Sequence, residues 1–559
     1  MAVDLALRGA TVVDGTGGPE RRVDVGIHGG TIVEVGDVTI GAGTTEVDLS
    51  GLVLSPGFID PHTHFDAQIF WDPDLTPSSW HGVTTVLLGN CGFGIAPLPP
   101  SQRSTIGHTL ENVEGMSAEV LALGIPWGFE SFPEYLDELA RRPLRCNVGV
   151  LVGHTPVRMQ VMGPEASDRP ATVTEIAAMR RLVEEALGAG AFGFSTSRAP
   201  THLGALGRPV PSRLASPEET DALFDTVGRA GHGIVQATVG VGLSLQELSD
   251  VAMRTGRPVT WTALFTGMGA EALDGAGEHG TALELADRGR ALGGDVYPQI
   301  ASLPQVMQVT LADPFPFAML PAFREVLAGD GAARSAAYAS AAWRDRARAQ
   351  LPAKWSARWF KTTVDESAVH ADLVHGPTLG ELAAERGIHP FDLFLNLSLA
   401  EDLQTRFRAV LANDDESELA VLLRDPSCLL AVSDAGAHVS QLCDARYPTH
   451  LLRRWVRETG VISLPFAVWR MTGQPAAVLG LSDRGVIRPG AVADLVAFSP
   501  TEVAEGEPYR IWDLPGGADR LVAKAAGIAG VWVNGVRTVC DGELVEGARP
   551  GTLLRSGRR

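Results

Sequence analysis

The chain opens on short alternating runs with no helical period. Asp4-Leu5-Ala6-Leu7-Arg8, Val23-Asp24-Val25-Gly26-Ile27 and Thr31-Ile32-Val33-Glu34-Val35 put apolar residues at every second position between Gly/Asp turns, the pattern of half-buried strands. The far end repeats it at 493–498, 530–535 and 538–542. Two β-rich ends around a different middle predict one small β-sandwich built from both termini. The middle alternates apolar runs with helical segments. Runs at 82–90, 148–153, 191–196, 233–238, 258–263, 294–297 and 429–434 read as buried strands. An eighth precedes them: Leu52-Val53-Leu54, then Ser55-Pro56-Gly57-Phe58-Ile59-Asp60-Pro61-His62-Thr63-His64, read as one strand entering the core and ending on two histidines. Thr172 with Glu175, Ser216 with Glu219 and Ser244 with Glu247 fit capping boxes at helix starts.

Eight such strands alternating with helices predict an α/β fold, a (β/α)8 TIM-like barrel with functional groups at the strand C-terminal ends. The alternative is an open doubly wound sheet, but no Gly-x-Gly-x-x-Gly follows the first strand. The segment from about 301 to 428 is too long for one crossover and is expected as an insertion between strands seven and eight, over the barrel mouth. Its aromatic residues (Trp355, Trp359, Phe360) either line an acyl pocket or simply pack. The expected division is 1–55 and 486–559 for the small β domain and 56–485 for the barrel.

Composition narrows the partners. With 46 basic and 66 acidic residues the net charge is −20, which opposes nucleic acid and anionic membranes. No 18-residue apolar run and no signal-peptide pattern is seen. Five scattered cysteines imply no disulfide framework, so a cytoplasmic location is expected. The expected partner is a small-molecule substrate; homo-oligomerisation is left open.

The strand ends carry the chemistry. Alternation points His62 and His64 the same way. The second strand ends on Asn90-Cys91-Gly92, the third on Gly153-His154 and the eighth on Asp434. Imidazoles, a thiolate and a carboxylate converging on one cavity suit zinc, and a carboxylate beside a zinc site can move the protons of hydrolysis. Taken singly, Cys91 also reads as a small buried hydrophobe, Asp434 as a helix cap and His154 as an ordinary hydrogen-bonded histidine.

Pro56-Gly57-Phe58-Ile59-Asp60-Pro61-His62-Thr63-His64 resembles the opening of the amidohydrolase superfamily. Gly82-Val83-Thr84-Thr85-Val86, Gly89-Asn90-Cys91-Gly92, Val152-Gly153-His154-Thr155 with Arg158, and Ser433-Asp434-Ala435-Gly436 resemble its D-aminoacylase (N-acyl-D-amino-acid deacylase) branch. The resemblance spans about residues 3 to 555. It implies a zinc-bearing barrel with a small β domain, His62 and His64 as metal ligands, Cys91 as the cysteine ligand of this branch, and Asp434 as metal neighbour and general acid/base. It also implies histidines ending strands five and six, where this chain has Thr238 and Ala263. Neither replaces an imidazole as a zinc ligand. Three outcomes follow: one zinc per chain on His62, His64 and Asp434 with Cys91 as fourth ligand or neighbour; replacement of the missing pair by His154 or His202; or altered or absent chemistry.

An N-acyl amino acid needs a cation for its carboxylate. Arg158 and Arg198, just past strand ends, are the candidates, with His154 and His202 as further substrate-binding groups. The function expected is metal-dependent hydrolysis of a non-peptide C–N bond, most simply an N-acyl amino acid amide, with Asp434 as acid/base. The alternatives are a cyclic amide or imide substrate, or a barrel that has lost turnover.

Overall fold

The structure is a computed structural model that describes residues 3–267, 279–327 and 329–557. Eight parallel strands make its centre: β1 (Phe58–Asp60), β2 (Val83–Leu88), β3 (Asn147–Val150, resuming at Val152–Gly153), β4 (Gly193–Ser197), β5 (Ile234–Thr238), β6 (Val259–Thr262), β7 (Val296–Ile300) and β8 (Leu429–Leu430). Each pairs in parallel with its sequence neighbour. A parallel bridge from Thr63 to Ala435 joins the segment after β1 to the segment after β8. The order is that of the expected barrel, and it gathers the strand ends on one side.

The first expected strand is in fact two. Val53–Pro56 belongs to the terminal sheet, between Thr11-Val12 and Leu495–Phe498. The chain turns at Gly57, where a Cβ would stand 2.2 Å from the Thr84 hydroxyl, and only then enters β1. Both halves are buried, so the apolar runs on either side of Ser55-Pro56-Gly57 look like one strand. His62 and His64 lie beyond β1, but the alternation argument survives. Thr63 bonds Leu87 and bridges Ala435, so the extended backbone continues with the two imidazoles flanking it, ring centroids 5.3 Å apart. β8 is much shorter than expected: after Leu430 the chain leaves the sheet, with Val432 and Asp434 at left-handed φ of 58° and 46°.

Both termini share one seven-stranded sheet, in which Leu495–Phe498 pairs antiparallel with Val53–Pro56. A four-stranded sheet from residues 5–48 packs on it over Leu7, Val25, Ile32, Leu54, Leu495 and Trp532. Between β7 and β8 stands a three-stranded antiparallel sheet (Gln305–Val309, Arg406–Ala412, Thr362–Glu366) with its own apolar core. Trp355 and Trp359 pack there, Trp355 4.6 Å from Phe317 and the two indoles 4.9 Å apart, while Phe360 is exposed.

His81 joins three parts of the chain. Its ring bonds the Thr449 hydroxyl (2.7 Å) and the Ala523 carbonyl (3.0 Å), and burial pushes its pKa down from 6.5 to about 4. The folded state therefore binds fewer protons than the unfolded state between those values, and stability falls as pH drops from about 6.5 to 4. The expected loss is about 3 kcal/mol. His81→Gln is expected to flatten this slope in urea melts taken at pH 7 and pH 4; equal slopes in both proteins would refute it.

Candidate metal centre

Three loops build the centre. After β2, Asn90 donates to the Thr63 and Leu87 carbonyls. Cys91 follows at left-handed φ 56°, its N–H donating to Gln236 Oε1 (2.7 Å). Gly92 lies so close to β4 that a Cβ would stand 2.8 Å from Thr196 Cα. After β8, the Ser433 hydroxyl donates to the His62 carbonyl, and His64 N–H donates to the Ala435 carbonyl. At Gly436 a Cβ would meet the His64 carbonyl at 2.5 Å. Asn-Cys-Gly and Ser-Asp-Ala-Gly are thus clamps that hold Cys91 and Asp434 against the histidines. Left-handed backbone at a non-glycine residue is unfavourable; here it occurs at Cys91, Val432, Asp434 and His438 in one neighbourhood.

The donor atoms converge. His62, His64 and Cys91 each bring a ligand atom within 4.8 Å of the others, and all three are buried. His62 Nε2 lies 3.4 Å from Cys91 Sγ and 3.2 Å from Asp434 Oδ1; His64 Nε2 lies 3.9 Å from the same oxygen. Asp434 is the most open member, its side chain 24% exposed, so it alone readily meets solvent. β5 and β6 contribute no imidazole. Thr238 instead places its hydroxyl by Cys91, and the Thr262 hydroxyl stands 3.2 Å from His62 Nδ1.

One acid here was not foreseen. Glu114, the last residue of α1 (Arg103–Glu114), places Oε1 3.4 Å from His64 Nδ1. Nothing in the pattern marked it, since it reads as one more polar position on an amphipathic helix.

The electrostatics fit a cation. Burial pushes the carboxyls of Asp60 and Asp66 up to about 7 and that of Glu114 well above its usual value. Burial, with the charges of Glu114 and Asp434, also raises the Cys91 thiol strongly. His62 and His64 are lowered by burial and so favour the neutral, ligating form. Among the described residues no lysine or arginine forms an ion pair with Asp60, Asp66, Glu114 or Asp434. Burial thus favours the protonated acids and thiol here; a cluster of such groups with two imidazoles and no lysine or arginine among its described partners matches a zinc donor set, because a bound cation would supply the missing countercharge.

The other predicted residues lie apart. His154 is saturated, with Nδ1 on the Thr196 hydroxyl and Nε2 on Glu219 Oε1, both 2.8 Å. Arg158 forms a fully buried ion pair with the same Glu219. Arg198 donates to the Arg213 and Ala215 carbonyls and the Thr220 hydroxyl. The polar atoms of His154 and Arg158 are thus taken by partners inside the fold, whereas Arg198 keeps a buried Nε with no hydrogen-bond partner. Glu219 was read only as a capping residue. Ser216 does accept its N–H at the start of the Pro217–Ala230 helix, but the carboxylate turns inward to Arg158 and His154. Glu219→Ala strands a buried guanidinium and is expected to cost about 3–5 kcal/mol in a denaturant melt. A loss under 1 kcal/mol would contradict this. His202 sits half-buried after β4, its Nδ1 2.7 Å from Ser197 Oγ, within the electrostatic reach of His64 and His438.

Residues 45–545 match the model of the amidohydrolase family, and the chain belongs to that family: it is a metal-dependent hydrolase of carbon–nitrogen bonds other than peptide bonds. It is 31% identical to N-acyl-D-aspartate deacylase of Alcaligenes xylosoxydans xylosoxydans, over 99% of this chain and 95% of the relative. An N-acyl-D-glutamate deacylase structure from Bordetella bronchiseptica, complexed with zinc and a phosphonate mimic of the tetrahedral intermediate, superposes with a TM-score of 0.68 at 26% identity, covering 99% and 100% of the two chains. A D-aminoacylase whose binuclear metal centre shows one-metal activation and second-metal attenuation gives 0.67 at 28% identity, with coverage of 99% and 100%. The fold shared with these structures is a TIM barrel with a small domain. Among the described residues no helix is long and apolar enough to cross a membrane.

Proposed function

We propose that this chain hydrolyses the amide bond of N-acyl amino acids, N-acyl-D-amino acids first among them, with one zinc held by His62, His64 and Cys91 beside Asp434. The observation that carries this reading is the convergence of those four side chains in a buried centre without a countercharge of its own. The kinship with N-acyl-D-aspartate and N-acyl-D-glutamate deacylases supports the substrate class. The division into residues 1–55 with 486–559, a small β domain, and 56–485, a barrel bearing an insertion at about 301–428 between its seventh and eighth strands, belongs to the same reading.

When bound, zinc polarises the scissile carbonyl and makes water acidic enough to attack near neutral pH. Asp434 takes the proton of the attacking water on its carboxylate and passes it to the amine nitrogen as the C–N bond breaks. Its partial exposure gives it access to both groups. His62 and His64, neutral and buried, keep their Nε2 atoms on the ligand side. His202, near the mouth, is the substrate-side group of this reading.

The test is a panel of N-acyl-D-amino acids, N-acyl-L-amino acids and cyclic imides, assayed on protein whose zinc content is measured. About one zinc per chain with turnover of N-acyl amino acids is expected. Turnover of the imides alone, or no bound zinc after gentle purification, would sink the proposal.

A further inference from the structure

Strands five, six and seven send Gln236, Thr260 with Thr262, and Gln299 into one hydrogen-bonded network that runs from Cys91 to His62. Its direction is set at one end. The Cys91 backbone N–H can only donate, and it donates to Gln236 Oε1 (2.7 Å). That fixes the Gln236 amide, whose Nε2 donates to Thr262 Oγ1 (3.0 Å). The Thr262 hydroxyl has two acceptors in range, Gln299 Oε1 at 2.6 Å and His62 Nδ1 at 3.2 Å, and the much shorter contact assigns its hydrogen to Gln299. Gln299 Nε2 donates to Thr260 Oγ1 (3.1 Å), so the other end of that amide is bonded as well. His62 Nδ1 stands 2.6 Å from Gln299 Oε1, an atom that only accepts. All of these side chains are buried, so water does not compete.

We propose that Gln236, Thr262 and Gln299 are positioning residues that lock His62 in the tautomer with its proton on Nδ1, leaving Nε2 bare toward Cys91 and Asp434. A ligating histidine is oriented by whatever its other nitrogen bonds. In this chain the strands that supply no imidazole supply that hold instead. The Cys91 backbone and the His62 ring are thereby tied together, so two of the donor groups are set before any metal arrives. The metal-binding consequence rests on the zinc reading above; the tautomer does not.

The test uses full-length protein with ¹⁵N-labelled histidine, and zinc alone as the probe. In metal-free wild type, the His62 nitrogen shifts are expected to show an Nδ1-protonated ring. Gln299→Glu keeps an acceptor there, so it is expected to retain both the tautomer and the zinc affinity measured by chelator competition. Gln299→Leu is expected to mix the tautomers and weaken zinc binding by roughly 10–100-fold. Thr262→Val removes the hydroxyl between Gln236 and Gln299 but leaves the Gln299 amide itself beside His62, and is expected to give a smaller loss of the same kind. If Gln299→Leu does not fold, the Glu and Val variants decide. An Nε2-protonated His62 in wild type overturns the proposal, as does undiminished zinc affinity in folded Gln299→Leu. A wild type that binds no zinc refutes the metal reading, and the tautomer measurement still judges the chain.

Discussion

Asp434→Asn is expected to lower kcat by about 10²–10⁴ while zinc content stays at the wild-type level. Asparagine keeps the shape and one oxygen of the side chain but cannot take a proton from water. The ligand atoms of His62, His64 and Cys91 remain within reach of one another without Asp434, so the site should still fill. The measurement is steady-state kinetics on an identified N-acyl amino acid, with metal analysis of the same preparation. An unchanged rate would remove Asp434 from the acid/base role. A rate loss matched by lost zinc would make it a ligand first.

His62→Ala is expected to cost most of the bound zinc and, with it, the activity. His62 is the hub of the centre: Nε2 meets both Cys91 and Asp434, and Nδ1 meets Gln299. Binding free energy for four-ligand zinc sites runs to about 10–16 kcal/mol, so one ligand in four is worth roughly 3 kcal/mol, on the order of a hundredfold in affinity. Thermal unfolding gives a second readout. Zinc at 1,000 times its dissociation constant stabilises a folded protein by about 4 kcal/mol. The wild type should show that increment and the variant should lose more than half of it. An equal zinc-dependent shift in both proteins would mean that the metal sits elsewhere.

The sequence displayed what strand periodicity displays. His62 and His64 share a side because they flank Thr63 in extended chain, and Cys91 and Asp434 come near them because parallel strands end on one side. Such periodicity could not reveal Glu114, which reaches His64 from the last turn of a helix whose pattern reports only its buried face. It misread Glu219, because Ser-Pro-Glu-Glu at a helix start looks the same whether the carboxylate turns back to the cap or inward to an arginine. Gln236, Thr262 and Gln299 were passed over as well. A neutral polar residue inside a strand carries no motif, and its meaning appears only when neighbouring strands are placed in register. The turn at Gly57 escaped notice for the opposite reason: the strands on its two sides are both buried, and burial alone does not tell one sheet from another.

The pairing of Val53–Pro56 with Leu495–Phe498 has a consequence for synthesis. Translation proceeds at about 5–20 residues per second, so roughly 20–90 s separate the emergence of these two partners from the ribosome. Through that interval an apolar strand lies beside the first barrel strand with one edge unpaired, and such edges invite pairing with other chains. The barrel can assemble as it is made; its clasp closes last. A nascent chain stopped before residue 495 would carry every predicted zinc ligand, yet lack the strand that pairs with Val53–Pro56 just ahead of the first of them.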